Sequence, residues 1–162
     1  MAQEHTVGQG RSALVWVQRQ TCSCGAMPDL AAKKTGGKIL MVSSLDEDHP
    51  GDNAIDGNES SYWISTGLYP QELLLELSNP SKLSSIKMTT TNVKSIRVEG
   101  CSEERPVTFK PLGEGELKEE AGRLQLKELR CKDTDEAIRY VKVMILAGWH
   151  DFCSVHKIVA ES

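Results

Sequence analysis

From residue 38 onward, the sequence is a succession of short segments in which apolar side chains recur at every second position. Leu73, Leu75 and Leu77 are the clearest example, and a period of two is that of a β-strand with one buried face. The segments are 38–44, 71–77, 82–91, 93–101, 107–112, 124–129, 139–146 and 155–160. Glycine, proline, asparagine and aspartate separate them, as turns require. About eight short strands of this kind predict an all-β protein, either a sandwich or a barrel.

Composition divides the chain into two parts. Residues 1–27 are rich in Gln, Gly, Ser and Thr and follow neither periodicity, so we predict a disordered N-terminal extension there. Residues 28–162 form the predicted domain, which is long enough to bury a sizeable core. Only residues 133–138 show a short helical pattern.

Charge and hydropathy argue against two kinds of partner. The net charge is −4 at pH 7 and there is no long run of Lys or Arg, so nucleic acid is not an expected ligand. No apolar stretch approaches the length of a membrane span, so we expect no direct membrane insertion. The short apolar run 13–17 is followed by polar residues and does not predict a secretory leader.

Five cysteines without a disulfide framework predict reduced thiols and a cytosolic protein.

A loop with three short oxygen-bearing side chains is the strongest candidate for a binding site. Asn53, Asp56 and Asn58 surround Gly57, which can fold the backbone sharply at positive φ. Oxygens gathered in a tight loop are the ligands of a hard cation such as Ca²⁺. An EF-hand is excluded, because the position that needs a bidentate glutamate holds Trp63. The alternative is a solvated β-turn, and in either case we expect Trp63 in the core.

No catalytic constellation follows from the sequence. The G-x-S-x-G, H-E-x-x-H and phosphate-loop motifs are all absent. His150, Cys153 and His156 recur at every third position, but residues three apart on a strand point to opposite faces, which argues against a metal cluster. We therefore interpret the chain as a non-enzyme.

These motifs resemble the galactose-binding-like superfamily, to which discoidin-type lectin and coagulation-factor domains belong. The resemblance is carried by Asn53-x-x-Asp-Gly-Asn58, by Trp63 with hydroxyls just after it, and by a last strand that ends in a small residue and Glu161. It implies a jelly-roll β-sandwich with a structural Ca²⁺ between the loop and the last strand. The ligands that it implies are Asn53, Asp56, Asn58, Thr66, Ala160 and Glu161, with Ser65 as the alternative to Thr66.

A closer resemblance, to the family of the small jelly-roll subunit of intraflagellar transport complex B, covers residues 38–161. The motifs that carry it are His49-Pro50, Asp56-Gly-Asn58, Trp63-x-x-Thr-Gly67 and Phe152-x-Ser-Val-His156. It implies a non-enzymatic subunit that forms a tight heterodimer with the Rab-like small GTPase of the complex and contacts other complex B subunits. It also implies cargo transport in cilia and flagella, and a location at the cilium or flagellum and in the cytoplasm of the basal body region.

Two other classes of protein share this fold. A carbohydrate-binding discoidin-like module needs aromatic or Arg side chains on its loop rim, and Trp149 and Tyr69 are the main candidates. A ubiquitin-ligase adaptor would add a terminal docking tail, whereas this sequence has only two residues after Ala160. For a protein partner, we expect the polar, Thr-rich region 82–98 and the acidic turn 114–120 to supply the interface.

Overall fold

Alternating apolar and polar side chains produce nine strands in residues 27–132 and 135–162, the part of the chain that our computed structural model describes. The strands are β1 Lys38–Val42, β2 Trp63–Ile64, β3 Gln71–Ser81, β4 Ser85–Thr91, β5 Val93–Cys101, β6 Lys110–Glu116, β7 Gln125–Arg130, β8 Ile138–Gly148 and β9 Ser154–Glu161. Two short 3₁₀ helices, Lys33–Thr35 and Gly51–Ala54, precede β1 and β2. The all-β class predicted from the sequence is confirmed.

The strands form two antiparallel sheets. The five-stranded sheet has the order β1-β3-β8-β5-β6, and the four-stranded sheet has the order β2-β9-β4-β7. Strands distant in sequence pair directly, since Leu73 and Leu75 of β3 stand opposite Val143 and Val141 of β8. Side chains alternate across each strand, so these apolar pairs turn one face of the sheet toward the interior. The two inner faces pack against each other as in a jelly-roll sandwich.

The core lies between the two sheets, and Trp63 is one of its largest members. Its side chain is fully buried, and its indole Nε1–H donates a hydrogen bond to the Ser44 carbonyl oxygen at 2.9 Å. Ile86 and Val155 of the four-stranded sheet and Ile145 of the five-stranded sheet are also fully buried. The predicted burial of Trp63 is confirmed, and its one polar atom has a partner, as a buried indole requires.

The boundaries of β6 differ from the prediction. The strand runs from Lys110 to Glu116, so it continues into the acidic stretch that the sequence indicates as a turn. Glu114 stands opposite Arg97 of β5, and Glu116 stands opposite Ser95. Pairing with β5 therefore keeps this stretch extended in spite of its glycines.

Contrary to the expectation from the sequence, the centre of the threonine-rich strand β4 does not contribute a polar surface. Thr89 and Thr90 are buried, and β4 lies between β9 and β7 in its sheet. The Thr90 hydroxyl donates a hydrogen bond to the buried Gln125 side-chain oxygen at 3.2 Å. The Thr90 hydroxyl group therefore belongs to the packed interior.

The first described residues join the ends of two strands. The Leu30 N–H donates to the Ala160 carbonyl oxygen at 2.9 Å, and the Leu30 carbonyl accepts from the Ser78 N–H at 2.9 Å.

The predicted N-terminal extension lies outside the described residues except for Met27. Residues 133 and 134 of the short helical pattern are also outside them, and Ile138 at its end already begins β8. Within the described ranges, no helix has both the length and the apolar character needed to span a membrane.

Candidate metal site

The loop 55–61, between the second 3₁₀ helix and β2, folds back on itself at Gly57. This glycine has φ +83°, in the left-handed region that glycine adopts without strain. The Asp56 Oδ1 accepts a hydrogen bond from the Asn58 N–H at 2.8 Å, and the Asp56 Oδ2 accepts one from the Ser61 hydroxyl at 2.5 Å. The Ser61 Oγ also lies 2.9 Å from the Asn58 carbonyl oxygen. A carboxylate, a carbonyl and a hydroxyl oxygen thus converge within the loop.

The other polar side chains of this region brace the loop. The Asn53 Nδ2 donates to the Tyr62 carbonyl oxygen at 3.1 Å, which ties the beginning of the loop to its end. The Asn58 Oδ1 accepts from the Ser60 N–H at 3.0 Å, so that the Asn58 side chain closes the turn while its carbonyl faces Ser61. The structure therefore gathers the predicted ligands Asn53, Asp56 and Asn58 into one folded segment.

Ring contacts, one stacked and one tilted, connect the segment around the loop to the four-stranded sheet. The centroids of His49 and Tyr62 are 4.2 Å apart, and those of Tyr62 and His156 are 5.0 Å apart. The His156 Nδ1 lies 2.9 Å from the Glu59 carbonyl oxygen. The Lys157 ammonium approaches the Glu59 carboxylate at 3.8 Å. The loop is thereby attached to β9, the strand that carries the predicted ligands Ala160 and Glu161.

On β9, the predicted ligands have partners from elsewhere in the fold. Both carboxylate oxygens of Glu161 lie 2.8 Å from the Lys87 ammonium, and the Ser85 hydroxyl donates to Glu161 Oε2 at 3.1 Å. The hydrogen bonds from Lys87 lower the pKa of the Glu161 carboxyl group, and the same contact raises the pKa of Lys87. The Ala160 carbonyl accepts from Leu30. Glu161 is therefore a carboxylate that already has a cationic partner within the protein.

The hydroxyl groups that follow Trp63 lie beyond β2. Ser65 is fully buried, and its Oγ accepts a hydrogen bond from the Cys153 N–H at 3.0 Å. Thr66 is exposed in the next loop. The hydroxyl that the structure places beside Asp56 belongs to Ser61, which the sequence reasoning missed. The signal that could have identified it is a hydroxyl residue shortly after Asp-Gly-Asn and before the tryptophan.

The residues of the loop offer oxygens of the kind that a hard cation prefers, and each of these oxygens already takes part in a hydrogen bond within the loop. Their donors are all oxygens, from a carboxylate, a backbone carbonyl and a hydroxyl group, which is the donor set that Ca²⁺ prefers. In the described ranges, no group of three or more His, Cys, Asp and Glu side chains could hold a metal ion. A cation at the loop would therefore rely on carbonyl and hydroxyl oxygens as well as on Asp56.

The two aromatic residues expected to form a sugar platform take part in internal contacts. The Trp149 indole N–H donates to the Leu117 carbonyl oxygen at 3.2 Å, and the Lys94 ammonium lies 5.0 Å from its ring centroid. The Tyr69 hydroxyl donates to a backbone carbonyl at 2.9 Å, and burial raises its pKa. Near the same rim, Phe152 is 56% exposed. A platform at this rim would depend on Phe152 more than on the two predicted rings.

Known proteins resemble this chain along most of its described length. The F5/8 type C domain family matches residues 40–158. Intraflagellar transport protein 25 of Chlamydomonas reinhardtii is 32% identical over 132 residues, which cover 82% of this chain and 68% of the relative. The homolog of Mus musculus is 30% identical over 133 residues, which cover 82% and 92%. The chain belongs to the intraflagellar transport protein 25 family.

The fold of this intraflagellar transport protein 25 family member is shared by sugar-binding modules. CpGH89CBM32-5 from Clostridium perfringens, solved in complex with GalNAc-beta-1,3-galactose, aligns with a TM-score of 0.69. The alignment covers 83% of this chain and 100% of that module at 21% identity. At this identity the likeness shows the fold alone. The jelly-roll architecture that the sequence resemblance implies is confirmed.

Proposed function

We propose that this chain is a non-enzymatic subunit of intraflagellar transport complex B that acts as a heterodimer with the Rab-like small GTPase of the complex. Identity of 30–32% across 82% of the chain with proteins named intraflagellar transport protein 25 carries the proposal. The subunit works at the cilium or flagellum and in the cytoplasm around the basal body, together with other complex B subunits. A structural Ca²⁺ is the second part of the proposal.

The outer face of the five-stranded sheet suits a protein partner. Met41 of β1 stands opposite Leu74 of β3, and on β3 the buried and half-buried residues alternate, so that Leu74 lies on the outer face. Met144 and Leu146 of β8 continue the same face. We refer to Met41, Leu74, Met144 and Leu146 as the outer stripe. Met41 is 45% exposed and the other three are half-buried. These four apolar side chains share one face of three strands, with Lys142 directly opposite Leu74 and Glu72 directly opposite Met144.

Ion pairs flank the outer stripe. Lys142 and Glu99 approach to 3.2 Å on the adjoining strands β8 and β5, and both side chains are largely shielded from solvent. Arg97 and Glu114 are 3.4 Å apart at the next pair of strands. Stable protein interfaces combine apolar contacts with hydrogen bonds and charged groups. These features support docking of the GTPase on this face.

The pairing can be tested by coexpression with the candidate GTPase followed by size-exclusion chromatography. We expect co-elution at micromolar concentration and a buried area above roughly 1,200 Å² in total. Leu74→Asp should abolish co-elution, because it removes an apolar contact and adds a charge that must be desolvated when the interface forms. Leu126→Asp is the matched control, since Leu126 is 80% exposed on β7 of the other sheet. Separate elution of the two wild-type proteins contradicts the pairing, and co-elution with Leu74→Asp contradicts the outer stripe.

For the calcium site, we propose donors from the loop and from the last strand. Asp56, Asn58 and Ser61 would provide oxygens from the loop, with Asn53 beside them, and Ala160 and Glu161 would provide oxygens from the last strand. A bound Ca²⁺ would supply an electrostatic link between these oxygens. The loop contacts β9 at His156 and Lys157, on the strand that also carries Ala160 and Glu161.

A second candidate function is carbohydrate binding. A pocket of about 290 Å³ lies between the β4–β5 turn and the loop before β9. Tyr62, Phe152 and His156 supply aromatic walls, and Thr91 and Asn92 supply polar groups. Aromatic and polar groups in one concave site are what a sugar needs. Titration with galactose, followed by protein NMR, tests this candidate: shifts confined to the pocket and lost in Phe152→Ala support it, and unchanged spectra at millimolar galactose contradict it.

A further inference from the structure

Strand β1 is an apolar edge of the five-stranded sheet. It pairs with β3 on one side and is the last strand of that sheet on the other. Four consecutive apolar residues, 39–42, follow Lys38, and Leu40 and Met41 are each 45% exposed. An edge strand presents backbone N–H and C=O groups that can pair with another chain. An apolar run of this length is disfavoured on a surface that binds nothing.

The other sheet edges in the described part of the chain differ from β1. Strand β6 contains Pro111, which has no N–H to donate, and two glutamates. Strand β7 carries Lys127, Glu128 and Arg130, and charged side chains protect an edge from pairing. Strand β2 is only two residues long. The edge best suited to accept a further strand is therefore that of β1.

A groove of about 310 Å³ lies beside the first half of β1. The described residues that line it include Lys38, Ile39 and Leu40 of β1 and Asp52 of the second 3₁₀ helix, but none of β3. Side chains of consecutive strand residues point alternately to the two faces of a sheet. Three consecutive lining residues therefore place the groove along the edge of β1, on the side that faces away from β3.

The charge around this groove is positive. Lys33 and Lys38 line the groove, and the exposed Lys34 follows Lys33 in the chain. The acidic lining residue, Asp52, is already paired with the Lys33 ammonium at 2.7 Å. Among the residues that the structure describes, no ion pair involves Lys34 or Lys38. On a chain with a net charge of −4, these two cations favour an acidic partner.

We propose that β1 accepts an extended, acidic segment of a partner protein as an additional strand of the five-stranded sheet. Main-chain hydrogen bonds to the outer edge of β1 provide the affinity, and Lys34 and Lys38 select carboxylate side chains. Leu40 provides an apolar contact beside them. This site goes beyond the proposed GTPase interface, because the outer stripe lies on the face of the sheet and does not include Leu40.

The test is an NMR titration of the whole protein with three capped eight-residue peptides. The probe peptide alternates Glu and Val. A second peptide alternates Glu and Pro, which keeps the charge but removes the ladder donors, and a third alternates Lys and Val. We expect the Glu-Val peptide to bind, and the other two to bind at least roughly tenfold more weakly.

Hydrogen exchange of the backbone amides locates the bound peptide. The amides of β1 that point away from β3 should exchange more slowly with solvent in the complex, because they gain main-chain partners. The amides of β6 and β7 should exchange at unchanged rates. No binding of the Glu-Val peptide at about 1 mM, or slower exchange at another edge in place of β1, overturns the proposal.

Charge reversal tests the selection of an acidic segment. The double variant Lys34→Glu/Lys38→Glu should bind the Glu-Val peptide roughly tenfold more weakly, since two attractions become repulsions. The matched control is Lys118→Glu/Lys132→Glu, which changes two exposed lysines near β6, at the opposite edge of the same sheet. It should change the affinity by less than about twofold. Equal effects of the two double variants overturn the selection by Lys34 and Lys38.

Two other occupants of the β1 edge are distinguished by the same proteins. Sedimentation without peptide should show a monomer, and a dimer that Leu40→Glu dissociates would assign the edge to a second copy of this chain. Lys34→Glu/Lys38→Glu should still co-elute with the candidate GTPase, and loss of co-elution would assign the edge to the GTPase. Either result overturns the proposal. Separate elution of the wild-type proteins contradicts the GTPase pairing alone, because peptide binding to β1 is measured without the GTPase.

Discussion

The Ser61 hydroxyl donates a hydrogen bond to the Asp56 carboxylate at 2.5 Å, and the same hydroxyl oxygen lies 2.9 Å from the Asn58 carbonyl. Three oxygens therefore face one another within a single turn, and a hydroxyl proton is what keeps the arrangement favourable. The Asp56 carboxylate is thereby hydrogen-bonded within the loop, and the turn closes around it.

The first prediction is that Ca²⁺ stabilises the fold. If the cation binds only the native state, the free energy of unfolding should increase by roughly 2.7 kcal/mol at a hundredfold excess over Kd. Thermal melts in Ca²⁺ and in chelator measure the effect. Asp56→Ala should remove the response, whereas Asp48→Ala, which removes an exposed carboxylate of the preceding loop, should keep it. Identical shifts in the two variants would contradict a site at Asp56.

The second prediction asks which hydroxyl group, that of Ser61 or that of Thr66, contributes to Ca²⁺ binding. Ser61→Ala should weaken Ca²⁺ binding by roughly tenfold, equivalent to about 1.4 kcal/mol, because the loop loses one oxygen beside Asp56. Thr66→Ala should leave the affinity unchanged, since Thr66 is exposed beyond β2. Calorimetric titration of both variants decides the question. If Thr66→Ala weakened Ca²⁺ binding and Ser61→Ala did not, the ligand would be Thr66, as the family resemblance implies.

Most strands could be predicted because their signal is local. The alternation in β3 and β8 and the full extent of β5, Val93–Cys101, follow from side chains within the strand itself. The extension of β6 to Glu116 could not be predicted, because it depends on the ladder with β5. β2 has only two residues, Trp63 and Ile64, which is too short for a periodic signal.

In the candidate site, too, some residues could be predicted from the local sequence and others could not. Asp56 and Asn58 could be identified because one turn brings them together, whereas the choice among Ser61, Ser65 and Thr66 depends on where β2 begins. The pair of Lys87 and Glu161 joins residues 74 apart in sequence through the register of β4 and β9. No sequence pattern encodes that register.

The third prediction concerns the core. Trp63→Ala should reduce the free energy of unfolding by about 3–5 kcal/mol, since it empties a fully buried site and leaves the Ser44 carbonyl without its donor. Denaturation with urea gives the value. Trp149→Ala is the matched control: this indole is 37% exposed, and its loss should cost about 1 kcal/mol. Equal costs for the two variants would show that Trp63 does not anchor the sandwich.

The fourth prediction is a pH dependence. Burial raises the pKa of the Cys131 thiol to about 11, because a low-dielectric environment disfavours the thiolate. The thiolate is the reactive form, so alkylation of Cys131 by iodoacetamide should be slow at pH 7.5 and should accelerate up to about pH 11. Peptide mapping by mass spectrometry measures the rate. A cysteine at the exposed position of Leu126 (Leu126→Cys) should react at neutral pH, and a Cys131 rate that levels off below pH 9 would contradict the shift.

The fifth prediction links the two parts of the proposed function. The outer stripe lies on the five-stranded sheet, whereas Glu161 belongs to the four-stranded sheet and the loop is attached to it by His156. Binding of the GTPase should therefore tolerate removal of calcium, with a change in Kd of less than about threefold. The measurement is calorimetric titration of the GTPase into this protein in Ca²⁺ and in chelator, at a temperature where both forms are folded. Leu74→Asp should abolish binding in both conditions. A complex that dissociates in chelator while the protein stays folded would show that the loop itself contributes to the interface.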